Sequence, residues 1–252
     1  SPWRADSEIT AFNRDTRGVP VSSETALVTA AALDIATASS GWFDPTVGPV
    51  VAQLGFGPIS GGSTGNWRAI SVFEDRLEKH DRRVTVDLCG IAKGRALDLM
   101  AAYLRKAGHT DFLIDLGGEL CANGNHPDGR AWQVAVENPL PESRLAAAGL
   151  RLGSGMAVAT SGLHLQSYQL DGRRYSHIIN PHRARPVDGR IASVSVLFGS
   201  AMLADAWATA LTAAGDAGPE LARANGIAAL FLFRSGAGLR AETTGGFGRH
   251  LI

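Results

Sequence analysis

Between Asp111 and Ile179 the chain breaks into short segments of strand-like character, "DFLIDLG", "ELCANG", "AWQVAVEN", "GMAVATS", "LHLQSYQL" and "RRYSHII", with few residues between neighbours. Segments of this length and composition bounded by turn residues read as strands, and Asp171-Gly172 is a hairpin turn pair. "IASVSVLF", "AALFLFR" and a closing hairpin add further strands. Strands therefore outnumber helices, and most are joined by short turns. That pattern predicts an α+β fold, mostly antiparallel sheet with flanking helices, and argues against a doubly wound α/β domain.

Several helices are expected around this sheet. One is capped by Ser22 or Ser23 and ends near Gly41. A second runs from about Ile91 to Ala107 and is stopped by Gly108; Ile91, Ala92, Ala96, Leu99, Met100, Tyr103 and Leu104 recur on it at helical spacing. A third, "AMLADAWATALTAAG", is capped by Ser200 and stopped by Gly215, and a shorter one lies around Pro219–Ala224. "GWFDPTVGPVVAQLGFGP" is expected as turn, short helix and turn. "ISGGSTGN" reads as a loop, and "RLEKH" with "RRVTVDL" as a hairpin about Asp81.

A chain of 252 residues permits one large domain or two small ones. Lys plus Arg and Asp plus Glu are both 24, which gives no basic footprint for nucleic acid, so a bound anion needs a local set of donors and cations. No apolar run reaches the roughly 18 residues of a transmembrane helix. The opening "SPWRADSEI" reads as the middle of a longer sequence, and no signal peptide is visible at Ser1. Cys89 and Cys121 lack the spacing of a zinc or redox site and are expected as two small buried thiols, with a disulfide as the alternative.

Several groups of residues carry possible chemistry. In "VDLCGIAKG" a strand-like stretch ends at Asp87, and a helix starting near Ile91 presents unpaired N–H groups with Lys93 in its first turn. A helix N-terminus with a lysine suits phosphate, and Gly90 lets a ligand approach the backbone. The plainer reading makes Asp87 a helix cap and Lys93 a solvated residue. Asp205 and Thr209 lie four apart on an otherwise apolar helix, so they share a face and offer oxygens to a hard cation; the plainer reading is a surface acid and a threonine bonded within its helix. His177, before the Asn180-Pro181 turn, suits a general base or a half-buried structural histidine. Trp42, Phe43 and Asp44 set aromatic surface beside a carboxylate, or are core aromatics before an Asp-Pro turn. "DLGGEL" reads most simply as a tight turn between two acids.

Taken in order, "SPWRADSEITAFNRD", "GWFDPTVGPVVAQLGFGP", "VDLCGIAKGRALD", "LIDLGGEL", "WQVAVENP", "AVATSG", "YSHIINP" and "ADAWATAL" resemble the ApbE family of flavin transferases from Ser1 to about Gly215. The resemblance implies a single ApbE-like domain over residues 1–252 with its N-terminal portion truncated. It implies binding of FAD and Mg²⁺, with transfer of FMN from FAD to a threonine or serine hydroxyl of an acceptor protein and release of AMP. By resemblance, the Gly90 carbonyl, Asp205 and Thr209 are the metal ligands. Trp3, Trp42, Phe43, Asp44, Asp87, Lys93, Ile178 and Ile179 meet FAD, and His177 is the catalytic base. Many members of the family are exported to the bacterial periplasm, often as lipoproteins, so a periplasmic or membrane-anchored location is expected.

Two features depart from the family pattern. Asn180 stands where an aspartate is usual, and Ala184 stands near a position commonly glycine. The resemblance also leaves two alternatives: an FAD pyrophosphatase giving FMN and AMP, and a flavin carrier without turnover.

Overall fold

In the computed structural model the described residues are 1–140, 145–163, 167–170 and 173–252. The early chain forms α1 (Glu8–Arg14), β1 (Gly18–Pro20), α2 (Ser23–Ala38), α3 (Gly48–Gln53), β2 (Ile70–Val72) and β3 (Arg76–Lys79). Then follow α4 (Cys89–Lys106), β4 (Phe112–Leu116), β5 (Glu119–Asn123), β6 (Trp132–Glu137), β7 (Ala146–Leu152) and β8 (Ala157–Gly162). Short strands β9 (Ser167–Leu170), β10 (Arg173–Ser176), β11 (Ile179–Asn180) and β12 (Arg185–Pro186) precede β13 (Ile191–Phe198), α5 (Ala201–Ala214), α6 (Gly218–Ala224), β14 (Ala228–Ser235) and β15 (Gly238–Thr244). The fold is α+β with antiparallel ladders throughout these strands.

The chain forms two compact units, Ser1–Ile91 with Gln166–Val187 and Ala92–Leu165 with Asp188–Ile252. The second contains a six-stranded sheet in the order β15-β14-β13-β8-β5-β4. Side chains alternate across it, and each face has its own core. Leu97, Ala101, Phe112, Ile114, Cys121, Ala157 and Ala201 gather between the sheet and helices α4 and α5. Val136, Leu150, Leu152, Val158, Leu197, Leu230, Leu232 and Phe247 gather on the β6–β7 side. The strand β7 was absent from the sequence reading because "AAAGLRL" lacks β-branched residues; its pairing with β6 and the burial of Leu150 and Leu152 make it a strand.

Helix α4 buries Ile91, Gly94, Leu97 and Ala101, whereas Leu99, Met100 and Tyr103 are exposed. The apolar stripe expected through those last three residues is therefore corrected: the true buried stripe turns on a glycine. A Cβ at Gly94 would stand 2.2 Å from the Ala201 carbonyl oxygen, so α4 and α5 touch backbone to backbone there. Asp98, one turn further along α4, receives the Ser200 hydroxyl at 2.7 Å and the Ala201 and Met202 N–H groups at 2.7 and 3.1 Å. A carboxylate from one helix thus satisfies the orphan donors at the start of the next.

In the first unit β3 is the centre of a three-stranded sheet, β1-β3-β2. The expected hairpin about Asp81 is corrected, since "RRVTVDL" forms no ladder strand beyond one bridge from Val84 to Ser63. Its backbone is satisfied by side chains instead. The Asn13 amide donates to the Val86 carbonyl at 2.9 Å and accepts the Val86 N–H at 2.7 Å. Lys79 Nζ donates to the Val84 carbonyl at 2.7 Å. The loop "ISGGSTGN" is tied down as well: Ser63 N–H donates to the Arg83 carbonyl, and the Gly65 and Asn66 N–H groups donate to Thr46 Oγ1. Cys121 is buried, but Cys89 is exposed at the start of α4, and both are free thiols, which corrects the expectation of two buried ones. His164, Leu165 and Gln166 of the expected strand "LHLQSYQL", and the Asp171-Gly172 turn, lie outside the described residues.

Asp98→Ala is expected to lower stability by about 1–2 kcal/mol, the usual cost of losing a helix cap, with Asp98→Asn recovering most of it. Urea denaturation of the two variants checks this; equal stability of Asp98→Ala and wild type would show that the α5 N-terminus does not depend on the cap.

Candidate active site

Helix α5 is buried on nearly every side, and its single acid, Asp205, is only 5 % exposed. The plainer reading of a surface aspartate is thereby excluded. Asp205 Oδ2 accepts the Gly94 N–H at 2.9 Å. That bond is possible because Gly94 admits α5 so closely. Desolvation, with the charge of Glu119 acting in the same direction, raises the Asp205 carboxyl from 3.8 to about 7, while the Gly94 hydrogen bond and Lys93 oppose. One turn along α5, the Thr209 hydroxyl meets the Ser161 hydroxyl at 3.4 Å. Ser161 sits in β8, and its carbonyl accepts from Thr212 Oγ1.

Lys93 belongs to the same group. Its side chain is 44 % exposed and forms an ion pair with the buried carboxylate of Glu119. Its Nζ also reaches the Gly117 carbonyl at 3.4 Å. Glu119 did not stand out in the sequence as a site residue; the signal, visible only in retrospect, is an acid placed directly after a Gly-Gly turn. The result is one cation, two buried carboxylates and two hydroxyls on α4, β5, β8 and α5. This donor set is made of hard oxygens, which fits Mg²⁺. Among the described residues no cluster of three or more His, Cys, Asp or Glu is present, and the expected ligands, a carbonyl, a carboxylate and a hydroxyl, would not form one.

The first unit holds most of the other predicted residues. Asp44 is buried, and its Oδ1 accepts both the Thr46 N–H at 2.7 Å and the Thr46 hydroxyl at 2.6 Å. Desolvation raises its carboxyl, with the Thr46 hydrogen bonds opposing. Asp87 comes close through its backbone, donating to the Pro45 carbonyl at 2.7 Å, while its Oδ1 accepts the Cys89 N–H at 2.9 Å. Asp87 thus serves the opening turn of α4, which includes the half-buried Gly90. Trp42 meets His182 edge to face, with centroids 4.4 Å apart. Phe43 is buried at 3 % exposure, so its side chain belongs to the core.

His177 is half-buried, with its ring 6.2 Å from that of Phe56. Phe56 stacks on Tyr168, and Tyr168 on Tyr175, each pair with centroids 5.4 Å apart. Tyr168 and Tyr175 face each other across the β9–β10 pair, and only Phe56 joins them from far away in the chain. Ile178 and Ile179 are buried beside the histidine, while Trp3 is 65 % exposed. In the turn after Ile179, Asn180 accepts the Arg183 N–H at its side chain and its carbonyl, both at 3.2 Å.

The family model described as "ApbE family" matches residues 1–231. A protein of Vibrio cholerae named FAD:protein FMN transferase is 35% identical over 98% of this chain and 78% of its own length. A protein of Klebsiella pneumoniae with the same name is 30% identical over 100% of this chain and 77% of its own. Among solved structures, the flavin transferase ApbE from Vibrio cholerae aligns with a TM-score of 0.87 at 33% identity, covering 100% of this chain and 85% of the other. The apo form of Pseudomonas stutzeri flavinyl transferase ApbE gives 0.87 at 32% identity, covering 99% and 82%. The fold is that of the flavin transferases of this family. This chain belongs to the ApbE family.

Asp205 carries a prediction. Between about pH 4 and pH 7 the metal-free native state keeps a proton that the unfolded chain has released, so stability falls as pH rises through that window and is level above it. Asp205→Asn removes this loss. Thermal unfolding of both proteins in EDTA is expected to show the variant gaining on the wild type from pH 4.5 to pH 7. A difference independent of pH would mean that Asp205 is not held protonated by its surroundings.

Proposed function

We propose that this protein is an FAD:protein FMN transferase that moves FMN from FAD to a threonine or serine hydroxyl of an acceptor protein and releases AMP. The reading rests on one observation above all: in a chain of the ApbE family, a buried carboxylate, Asp205, shares its surroundings with Lys93. A dinucleotide's pyrophosphate repels a nucleophile, and a cationic, oxygen-rich pocket is what offsets that repulsion.

Under this reading Asp205, Thr209 and the Gly90 carbonyl would hold Mg²⁺, which when bound supplies positive charge for the phosphate oxygens. Lys93 binds the pyrophosphate from the N-terminal region of α4. Asp87, Asp44 and the backbone at Trp42 and Phe43 meet the dinucleotide, and Trp3 offers an exposed ring for the flavin. Ile178 and Ile179 form an apolar wall that limits water around His177. His177 takes the proton from the acceptor hydroxyl as that oxygen attacks the FMN phosphorus, and the bond to the AMP phosphate breaks. A positioned base of this kind contributes about 10²–10⁴-fold, and alignment of the two reactants contributes much of the rest. The same reading places the protein on the periplasmic side of the membrane, exported or anchored. Cell fractionation checks that location, and a wholly cytoplasmic protein would refute it. Among the described residues no helix is long and apolar enough to cross a membrane.

The test is incubation with FAD, Mg²⁺ and a domain bearing an acceptor threonine, followed by measurement of AMP and acceptor mass. AMP with an FMN-sized mass shift is expected. AMP without the shift would make the protein an FAD pyrophosphatase, and intact FAD would make it a carrier. Asp205→Ala is expected to abolish Mg²⁺-dependent AMP release. His177→Ala is expected to retain FAD while transfer falls by about 10²-fold or more; an unchanged transfer rate would remove His177 as the base.

A further inference from the structure

The segment "DLGGEL" is a hairpin tip whose geometry has a consequence. Gly117 and Gly118 adopt φ of 62° and 98°, and Leu116 pairs with Glu119 across them. A two-residue loop with positive φ at both positions matches the twist of its flanking strands and favours glycine. The Asp115 carboxylate accepts the Gly118 N–H at 2.9 Å and braces the turn. Glu119, as the first residue after the turn, is directed inward and is only 3 % exposed. Its carboxylate contacts Lys93, and the Gly117 carbonyl lies 3.4 Å from the same ammonium. One hairpin tip therefore offers two acceptors to one lysine.

Stability does not account for this contact. Burying a carboxylate is costly, and pairing it with a half-exposed ammonium returns little of that cost. Burial pushes the Glu119 carboxyl up, and the Asp115 charge pushes it further. Asp205 adds a second buried acid to the same surroundings. A leucine at position 119 would serve the core better. What the carboxylate does provide is a fixed location for Lys93. A free lysine has about 2 kcal/mol of rotamer entropy and is strongly hydrated; held at its tip, it meets an anion without first being ordered.

We propose that Glu119 is a positioning residue: with the Gly117 carbonyl it clamps the Lys93 ammonium beside Asp205, so that the lysine is already in place when the pyrophosphate of the dinucleotide arrives. The proposal rests on the reading of Lys93 as a pyrophosphate-binding residue, and the experiment separates the two. FAD affinity is measured at equilibrium in EDTA by flavin fluorescence, where no turnover occurs, for wild type, Glu119→Gln, Glu119→Asp, Lys93→Met and the double variant Lys93→Met/Glu119→Gln. Glu119→Gln is expected to weaken FAD binding about tenfold, the scale of one charge-assisted hydrogen bond. Glu119→Asp, which keeps the charge, recovers most of that loss. The double variant binds no more weakly than Lys93→Met, because the glutamate acts only through the lysine. Wild-type affinity in Glu119→Gln, or losses that add in full in the double variant, would overturn the positioning role while leaving Lys93 intact as a ligand. Wild-type affinity in Lys93→Met would overturn both. Thermal unfolding checks that each variant is folded, and Glu119→Asn replaces Glu119→Gln in the comparison if the latter is not.

Discussion

The close approach of α4 and α5 at Gly94 is the constraint on which the candidate site depends. Any side chain larger than hydrogen at position 94 would collide with the Ala201 carbonyl and with Asp205 Cβ. With glycine there, a backbone N–H of one helix bonds the carboxylate of the other. Asp98 secures the same crossing from the α4 side by capping α5. Asp205 is thereby held deep in the second unit with one firm hydrogen bond and little else to offset its lost hydration. The chemistry and the packing share a single contact, so the glycine in "AKGRALD" matters as much as the lysine beside it.

Much of this was legible in the sequence because it rests on local signals. The caps at Ser22 and Ser200, the stops at Gly108 and Gly215, and the strand-like composition of β4, β5, β8 and β13 act over a few residues and survive in the fold. What was not legible depends on partners distant in sequence. The extended run from Val84 to Leu88 looks like a strand, but Asn13 and Lys79 supply its hydrogen bonds, and no local pattern reveals that. The buried face of α4 was misread because Leu99, Met100 and Tyr103 are apolar, yet what packs against α5 is Gly94 and Leu97. The site residues followed the same division. Asp205 and Thr209 share a face by helical spacing alone, whereas Glu119 and Ser161 join them only when β5 and β8 enter the sheet.

The turn from Ile179 to Pro186 shows how this chain absorbs its departures from the family pattern. Asn180 retains the role of a side-chain acceptor toward the Arg183 N–H, which an aspartate would also fill. Ala184 sits at φ 47°, in the left-handed region where a Cβ costs roughly 1–2 kcal/mol. A glycine there would carry no such penalty. The strain is tolerated because β11 and β12 flank the turn as a paired ladder, and the Val187 N–H bonds the Ile178 carbonyl at 2.9 Å just outside it. The residues next to His177 are therefore fixed by backbone pairing, with Asn180 half-buried and Ala184 exposed on the turn.

A carrier that only binds flavin has no need of the arrangement on α4 and α5. Binding an isoalloxazine ring requires apolar surface and a few hydrogen bonds, and neither calls for a carboxylate pushed toward neutrality. Asp205 and Glu119 impose a desolvation cost on the fold that stacked aromatics or a hydroxyl-lined pocket would avoid. That cost is recovered only when positive charge enters and lowers both carboxyls, and it is recovered most when the charge that enters also faces a substrate's phosphates. Lys93 alone offsets part of it. Under the proposed function a divalent cation at Asp205 would offset the remainder, and the electrostatics of the metal-free protein favour an enzyme acting on a phosphate linkage over a reservoir for its cofactor.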